Sequence, residues 1–523
     1  MKKFLFLILL FSSLLSAQGV DLPDFVISGS ENVTLPKIKK AKPKPVLPLG
    51  KSYFRHKFTP EDFSVSFIAE IDTNYILPIK RNKSFSQYVT LSAGLNYLPK
   101  AELFWGFPFN NGYLTIDFNG ENRLNYLPHS ERTFMNGNVN LRLYTNHNSK
   151  KIPLSYFDIY ANGLLNDYRF FASVSPAFRR KYSFGKAGVK FHSFSKSNLN
   201  LAADISANDF RLLKENFVEQ NVDALFSAKK KFSIFSVLGN FHYINQKLKD
   251  NRYRKYNYFD FLIAGELYPT EKFAIRVGAN FAHSGGRNFL APYLFGKVLL
   301  IDNLVMTVGW SSSTKFISNF DLIKLNPYYS RKQFNNIFQS VYNKIHLALY
   351  YSYLKYFDVS LLLGFKQTDG MVYFNYGSDN IHYIPRTIDA VNGFFTNIKF
   401  NLYTGKFGFF SGEFNVDREV NTENKLIPYH PVFNSKAVYN YRFDFGALVS
   451  LGVNFYSRSY TNLKNSSSIA PYINLFASTD YKIANNLKFI LRLNNLLNRE
   501  NYYFTGYREP LMDVTAGLEY FWR

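Results

Sequence analysis

Residues 273–281 read Phe-Ala-Ile-Arg-Val-Gly-Ala-Asn-Phe. Phe273, Ile275, Val277, Ala279 and Phe281 fall on one set of alternate positions, and Ala274, Arg276, Gly278 and Asn280 on the other. Successive side chains of a β-strand point to opposite faces, so a period of two with one apolar and one polar set is the mark of a strand between two different environments. The pattern recurs along the chain. Leu114, Ile116 and Phe118 alternate with Thr115, Asp117 and Asn119, and Val139, Leu141 and Leu143 with Asn138, Asn140 and Arg142. Leu199 to Asn208, Phe394 to Leu402, Val449 to Tyr456 and Leu487 to Asn494 repeat it, as does Phe63 to Ile71, where the strands are expected to start.

The runs persist for roughly 7–11 residues, the length a tilted membrane-spanning strand needs. Soluble sandwiches and propellers also alternate, but with strands of about 5–6 residues. A propeller would also carry a blade repeat of about 40–50 residues, which is absent here. Charged Asp117, Arg142, Arg276, Lys399 and Arg492 sit inside these strands on the polar face. A dry core would penalise them, whereas a water-filled lumen accepts them. The reading is therefore all-β: a transmembrane antiparallel up-and-down β-barrel of about 22 strands over residues 61–523. Polar stretches at Asn146–Lys151, Lys247–Tyr256, Ser284–Asn288 and Asn462–Ser468 are the expected loop tips, and Ile317–Phe338 an irregular longer loop folded inward.

Composition agrees. Among 523 residues are 55 Phe, 39 Tyr and 3 Trp, with no Cys. After residue 17 no run of about 20 apolar residues exists that could be a membrane helix. The start, Met1-Lys2-Lys3 followed by apolar Phe4 to Leu10 and small residues up to Ala17, has the form of a secretory signal peptide cut near Ala17. Without cysteine no disulfide braces the exported chain and no lipidated cysteine anchors it. The net charge of +24, or +22 without Lys2 and Lys3, would suggest nucleic acid in a cytoplasmic protein. In an exported one it suits anionic headgroups, lipopolysaccharide or lumen solutes.

No nucleophile elbow, phosphate-binding loop or H-E-x-x-H sequence is present. The nine histidines, among them His56, His129, His242, His346 and His430, lack ligand spacing. The sequence thus offers no catalytic residues, no metal site and no cofactor, and the chain is read as no enzyme.

The carboxy-terminal residues carry a family resemblance. Leu491-Arg492-Leu493-Asn494-Asn495-Leu496-Leu497-Asn498 is followed by Tyr502-Tyr503, Gly506-Tyr507-Arg508-Glu509-Pro510 and a last strand with Gly517-Leu518-Glu519-Tyr520. This resembles the end of TonB-dependent receptors: an Asn-Leu turn, a tyrosine, a Gly/Pro/Arg loop and a final strand with an aromatic end. Arg523 after the terminal aromatic departs from that pattern. The close match covers about 35 residues. The resemblance implies an outer-membrane barrel inserted by the barrel assembly machinery.

The other end departs further. That family fills its barrel with an amino-terminal plug of over a hundred residues (roughly), whereas fewer than 50 separate Ala17 from Phe63, so no plug domain is expected. Residues 18–60 read as a periplasmic linker rich in Lys and Pro between Pro36 and Pro48. Within it Asp24-Phe25-Val26-Ile27-Ser28-Gly29 is similar to a TonB box, which would add an extended strand to TonB or another periplasmic protein. Two functions stay open: solute transport across the outer membrane, with Asp117, Arg142, Arg276, Lys399 and Arg492 setting selectivity in the lumen, and a structural barrel anchoring a multi-protein envelope complex.

Overall fold

The computed structural model describes residues 87–522 apart from 146–153, 173–177, 195–198, 251, 271, 302, 332–336, 355 and 380. The signal peptide, the Asp24–Gly29 segment and the strand expected at Phe63–Ile71 lie outside the described residues.

Twenty-three segments form a single antiparallel sheet. Two of them, Leu304–Ser311 and Ser313–Ile317, pair with the same neighbour, Ile337–Tyr353, and are one wall strand interrupted at Ser312. The wall is thus a ring of 22 strands. Each strand is paired to its chain neighbours, and Gln87–Gly94 closes the ring on Asp513–Trp522 through an eight-residue register from Gln87↔Trp522 to Gly94↔Thr515. Closure leaves no unpaired edge, the condition for carrying backbone polar groups through lipid.

The alternation becomes inside and outside. Phe273, Val277 and Phe281 are exposed on the outer face of their strand, and Asn280 of the same strand is buried inside. Phe118, Val139, Leu201, Ile205, Phe394 and Leu451 extend the exposed apolar face round the ring. So much uninterrupted apolar surface is intolerable in water and is the lipid-facing belt of an outer-membrane barrel. In the last strand Leu518 and Tyr520 face out, as their alternation predicts.

The seam is tight. Gly517 lies opposite Ser92, and a Cβ there would stand 2.7 Å from the Leu91 carbonyl oxygen and 2.8 Å from Ser92 Cβ. Overpacking of this kind costs about 1–3 kcal/mol. Gly517→Val will reduce the fast-migrating folded form on an unheated gel after refolding, and Gly163→Val, whose Cβ meets open space, will not.

Connections differ between the two ends. Beside the termini they are short, such as Asn110-Asn111 and Asn485-Asn486. At the other end short turns such as 95–96 and 285–286 stand beside five long loops: 318–336, 370–390, 421–432, 457–471 and 495–512. In outer-membrane barrels short turns face the periplasm and long loops the exterior. The turn expected over Lys247–Tyr256 is shorter than its polar composition suggests. Pairing runs up to Lys249↔Tyr253, because the strands here rise past the belt and polar residues continue the ladder in water.

Candidate functional site

The five charged positions singled out by alternation are placed one by one on the wall rather than gathered into a site. Arg142 lies opposite Asp158 and binds it through two hydrogen bonds of 2.6 Å, with its guanidinium over the Tyr156 ring at 4.2 Å. Arg276 lies opposite Glu266 at 3.3 Å, and Lys229 reaches the same carboxylate at 2.9 Å. Lys399 stands 3.3 Å from Glu413 across its own ladder, and Arg492 stands 2.5 Å from Asp480. Asp117 accepts from Asn138 Nδ2 at 2.6 Å. The four cations are each matched by a carboxylate one strand away and Asp117 by a neutral amide, so these positions carry no concentrated field of one sign.

What is brought together is the outer mouth. Residues 318–331, leaving the thirteenth strand of the ring, fold inward as expected. Ser318 caps the helix Asn319–Leu325 through a capping box with Asp321, and the helix buries Phe320, Leu322 and Ile323. Phe320 stacks on Phe184 of the sixth strand with ring centroids 3.8 Å apart and planes 4° apart. Buried Glu219, on the eighth strand, accepts from the Asn319 backbone N–H at 2.9 Å and from its Nδ2 at 2.8 Å. Arg180, almost fully buried on the sixth strand, donates to the carbonyls of Pro327 (3.0 Å) and Tyr329 (2.9 Å) and pairs with Glu215 at 2.7 Å.

Two further loops join this segment. The hairpin Met371–Tyr376 with Tyr383–Ile388 hangs between the fifteenth and sixteenth strands. It meets the loop 318–331 through a parallel bridge, Tyr329↔Tyr383. His382 then packs on Phe170 at 5.0 Å, beside the fifth and sixth strands, ten positions away in a ring of 22 and therefore on the opposite side. From between the last two strands, Tyr507 stacks on Tyr328 at 3.4 Å and 13° and donates to the Ile381 carbonyl at 2.5 Å, while Tyr383 donates to the Thr505 carbonyl at 2.9 Å. Contacts between opposite walls can only be made over the lumen. The loops therefore form an aromatic cap across the outer mouth. Burial pushes the Tyr328 and Tyr507 phenols up, so both remain neutral at any physiological pH.

Alternation could not find the cap, because most of its residues lie in connections. The signals present in the sequence were Pro327-Tyr328-Tyr329 within an irregular stretch and Gly506-Tyr507 within the family-like carboxy terminus. Among the described residues no group of three or more His, Asp or Glu is placed to hold a metal ion.

The wall matches known structures over most of its length. The FrpB iron transporter from Neisseria meningitidis aligns with a TM-score of 0.64 at 9% identity, covering 84% of this chain and 82% of that one. A copper transporter, OprC, gives 0.63 at 10% identity over 84% and 80%. The siderophore receptor PirA from Acinetobacter baumannii gives 0.62 at 10% over the same shares. The fold is that of a TonB-dependent receptor barrel. At such identities the likeness is one of fold. No family model matches the sequence, and no curated protein matches it. The TonB-dependent-receptor-like barrel is an outer-membrane structure, and no plug domain is evident among its described residues.

Proposed function

We propose that this barrel admits a solute across the outer membrane and that the aromatic cap is its outer gate. The cap carries the reading. A polar, charge-lined wall is covered at one end by loops joined through hydrogen bonds and ring contacts, which can part. The solved structures sharing the fold include proteins named as iron and copper transporters and siderophore receptors. The wall charges at Arg142, Arg276, Lys399 and Arg492 have carboxylate partners and Asp117 an amide partner. Such a lumen favours a polar solute that exchanges hydrogen bonds with amides and ion pairs over a bare ion drawn by a single-signed field. On this reading Asp24–Gly29 is the periplasmic contact, adding a strand to TonB or an equivalent protein.

The second reading is a structural barrel that anchors an envelope complex, and the same closed mouth favours it. Bilayer recording of the refolded chain before and after removal of the cap separates the two. Stable ion-conducting steps appearing on removal support transport. A folded barrel that stays silent without its cap rejects the gated-pore reading and leaves the anchoring one.

A further inference from the structure

The outer face marks where the membrane lies. On three neighbouring strands, Ile337–Tyr353, Phe357–Asp369 and Val391–Tyr403, the amides of Asn343, Gln367 and Asn392 form an exposed row. Asn343 donates to Gln367 at 2.6 Å and Gln367 to Asn392 at 2.9 Å. Just below the row, toward the short turns, Ile345, Phe365 and Phe394 begin the exposed apolar belt. Exposed polar pairs near the outer strand ends recur elsewhere, with Asp167–Arg179 on the fifth and sixth strands and Arg211–Asp209–Gln220 on the seventh and eighth. A row of exposed amides belongs with headgroups and water, so it sets the outer edge of the hydrocarbon.

The depth of the membrane then locates the inner edge. A strand tilted about 40° descends about 2.5 Å per residue, so an apolar band about 25 Å tall takes about ten residues. Counting ten from Ile345 and from Phe365 reaches residue 355 on both strands, and from Phe394 residue 404. These counts end beside Leu354 and Tyr356 and in the turn 404–408. The tips there are apolar and open: Leu354 is 70% exposed and Phe407 63%. The next turn along the ring presents Phe445 at 66%, at the end of a run of rings from Tyr441 through Phe443 to Phe445 with centroids 4.7 and 5.1 Å apart. Leu354 also has φ of +50°, a left-handed conformation that suits Asn or Gly and costs a leucine. Two other short turns carry Asn110-Asn111 and Asn485-Asn486 instead, while the turn at 232–234, on a separate arc, also presents an exposed apolar residue, Ile234.

We propose that the three consecutive turns bearing Leu354, Phe407 and Phe445 are immersed in the phospholipid of the periplasmic leaflet, anchoring this arc of the barrel. Continuity with the lipid-facing belt and the depth count select lipid as the occupant. A periplasmic partner must then approach by the lumen mouth or by another arc of the rim.

The chain has no cysteine, so a single nitroxide can be placed at will. Leu354→Cys, Phe407→Cys and Phe445→Cys are spin-labelled in the full chain and reconstituted in phosphatidylethanolamine–phosphatidylglycerol vesicles. Leu451→Cys serves as the belt reference and Asn486→Cys as the polar-turn reference, and an unheated gel confirms that each labelled barrel is folded. Collision with oxygen, which partitions into lipid, is compared with collision with a water-soluble nickel chelate. The three tip labels are expected to favour oxygen, as at position 451 and opposite to position 486. Preference for the nickel chelate overturns the proposal by placing the tips in water. Low access to both reagents also overturns it, because it reports contact with protein.

Discussion

Replacing residues 319–329 by a four-residue Gly-Ser linker will turn a silent barrel into one that passes ions in stable steps. The wall tolerates the deletion. Ile317 and Ile337 are register partners, so the chain leaves and re-enters the wall at adjacent points and a short link spans them. What the deletion removes is the part of the cap that reaches across the mouth: Phe320 on Phe184, Asn319 on Glu219, Tyr328 on Tyr507, and the carbonyls held by Arg180 and Tyr168. The hairpin at 371–388 then loses its bridge to Tyr329 and its backbone bond to Tyr328. Beneath lies a wall lined by amides and ion pairs, which water enters readily. Planar-bilayer recording of the intact chain should show no steps, and of the excised chain discrete ones. Tyr507→Ala, which loses one stacked ring and one hydrogen bond across the mouth, should give brief flickering openings. Steady conduction by the intact chain would show that the cap does not close the mouth.

The wall was legible in the sequence and the cap was not, for a physical reason. A wall residue's environment is decided by parity alone, lipid on one side and water on the other, so Phe273, Val277 and Phe281 announce their outward face within nine residues. The number of such runs pointed to about 22 strands, the number the ring contains. Pairing of the wall charges required register as well. Arg142 meets Asp158, and Lys399 meets Glu413, only because the hairpins align them, and hairpin alignment is set by turns whose geometry composition reveals poorly. The cap is harder still. Arg180, Glu219 and Phe184 satisfy the alternation of ordinary lumen residues, and nothing local distinguishes them from Lys186 or Asn208. Their burial is created by a segment a hundred or more residues away.

Arg180→Ala will loosen the cap without loosening the wall. The guanidinium is almost wholly buried, is bonded to Glu215 and to two carbonyls of the inward loop, and is stacked at 4.8 Å on Phe170 and 5.1 Å on Tyr329. Removing it leaves Glu215 without its counter-charge, and the Tyr329 carbonyl loses a donor in a buried place. Breaking a buried pair on one side costs about 3–5 kcal/mol. That cost falls on the closed cap, because the open cap leaves those groups to water. Hydrogen exchange over residues 319–331 should therefore accelerate by roughly two to four orders of magnitude, at about 1.4 kcal/mol per decade. The wall strand Arg179–Phe194, whose ladder bonds do not involve the side chain, should keep its protection. Arg180→Lys should recover only part of the loss, since an ammonium can hold the charge of Glu215 but cannot span Glu215 and both carbonyls in one plane. Acceleration spread equally over wall and cap would show that Arg180 supports the barrel as a whole. Unchanged exchange in the loop would show that the ring contacts of Phe320, Tyr328 and Tyr507 hold the cap unaided.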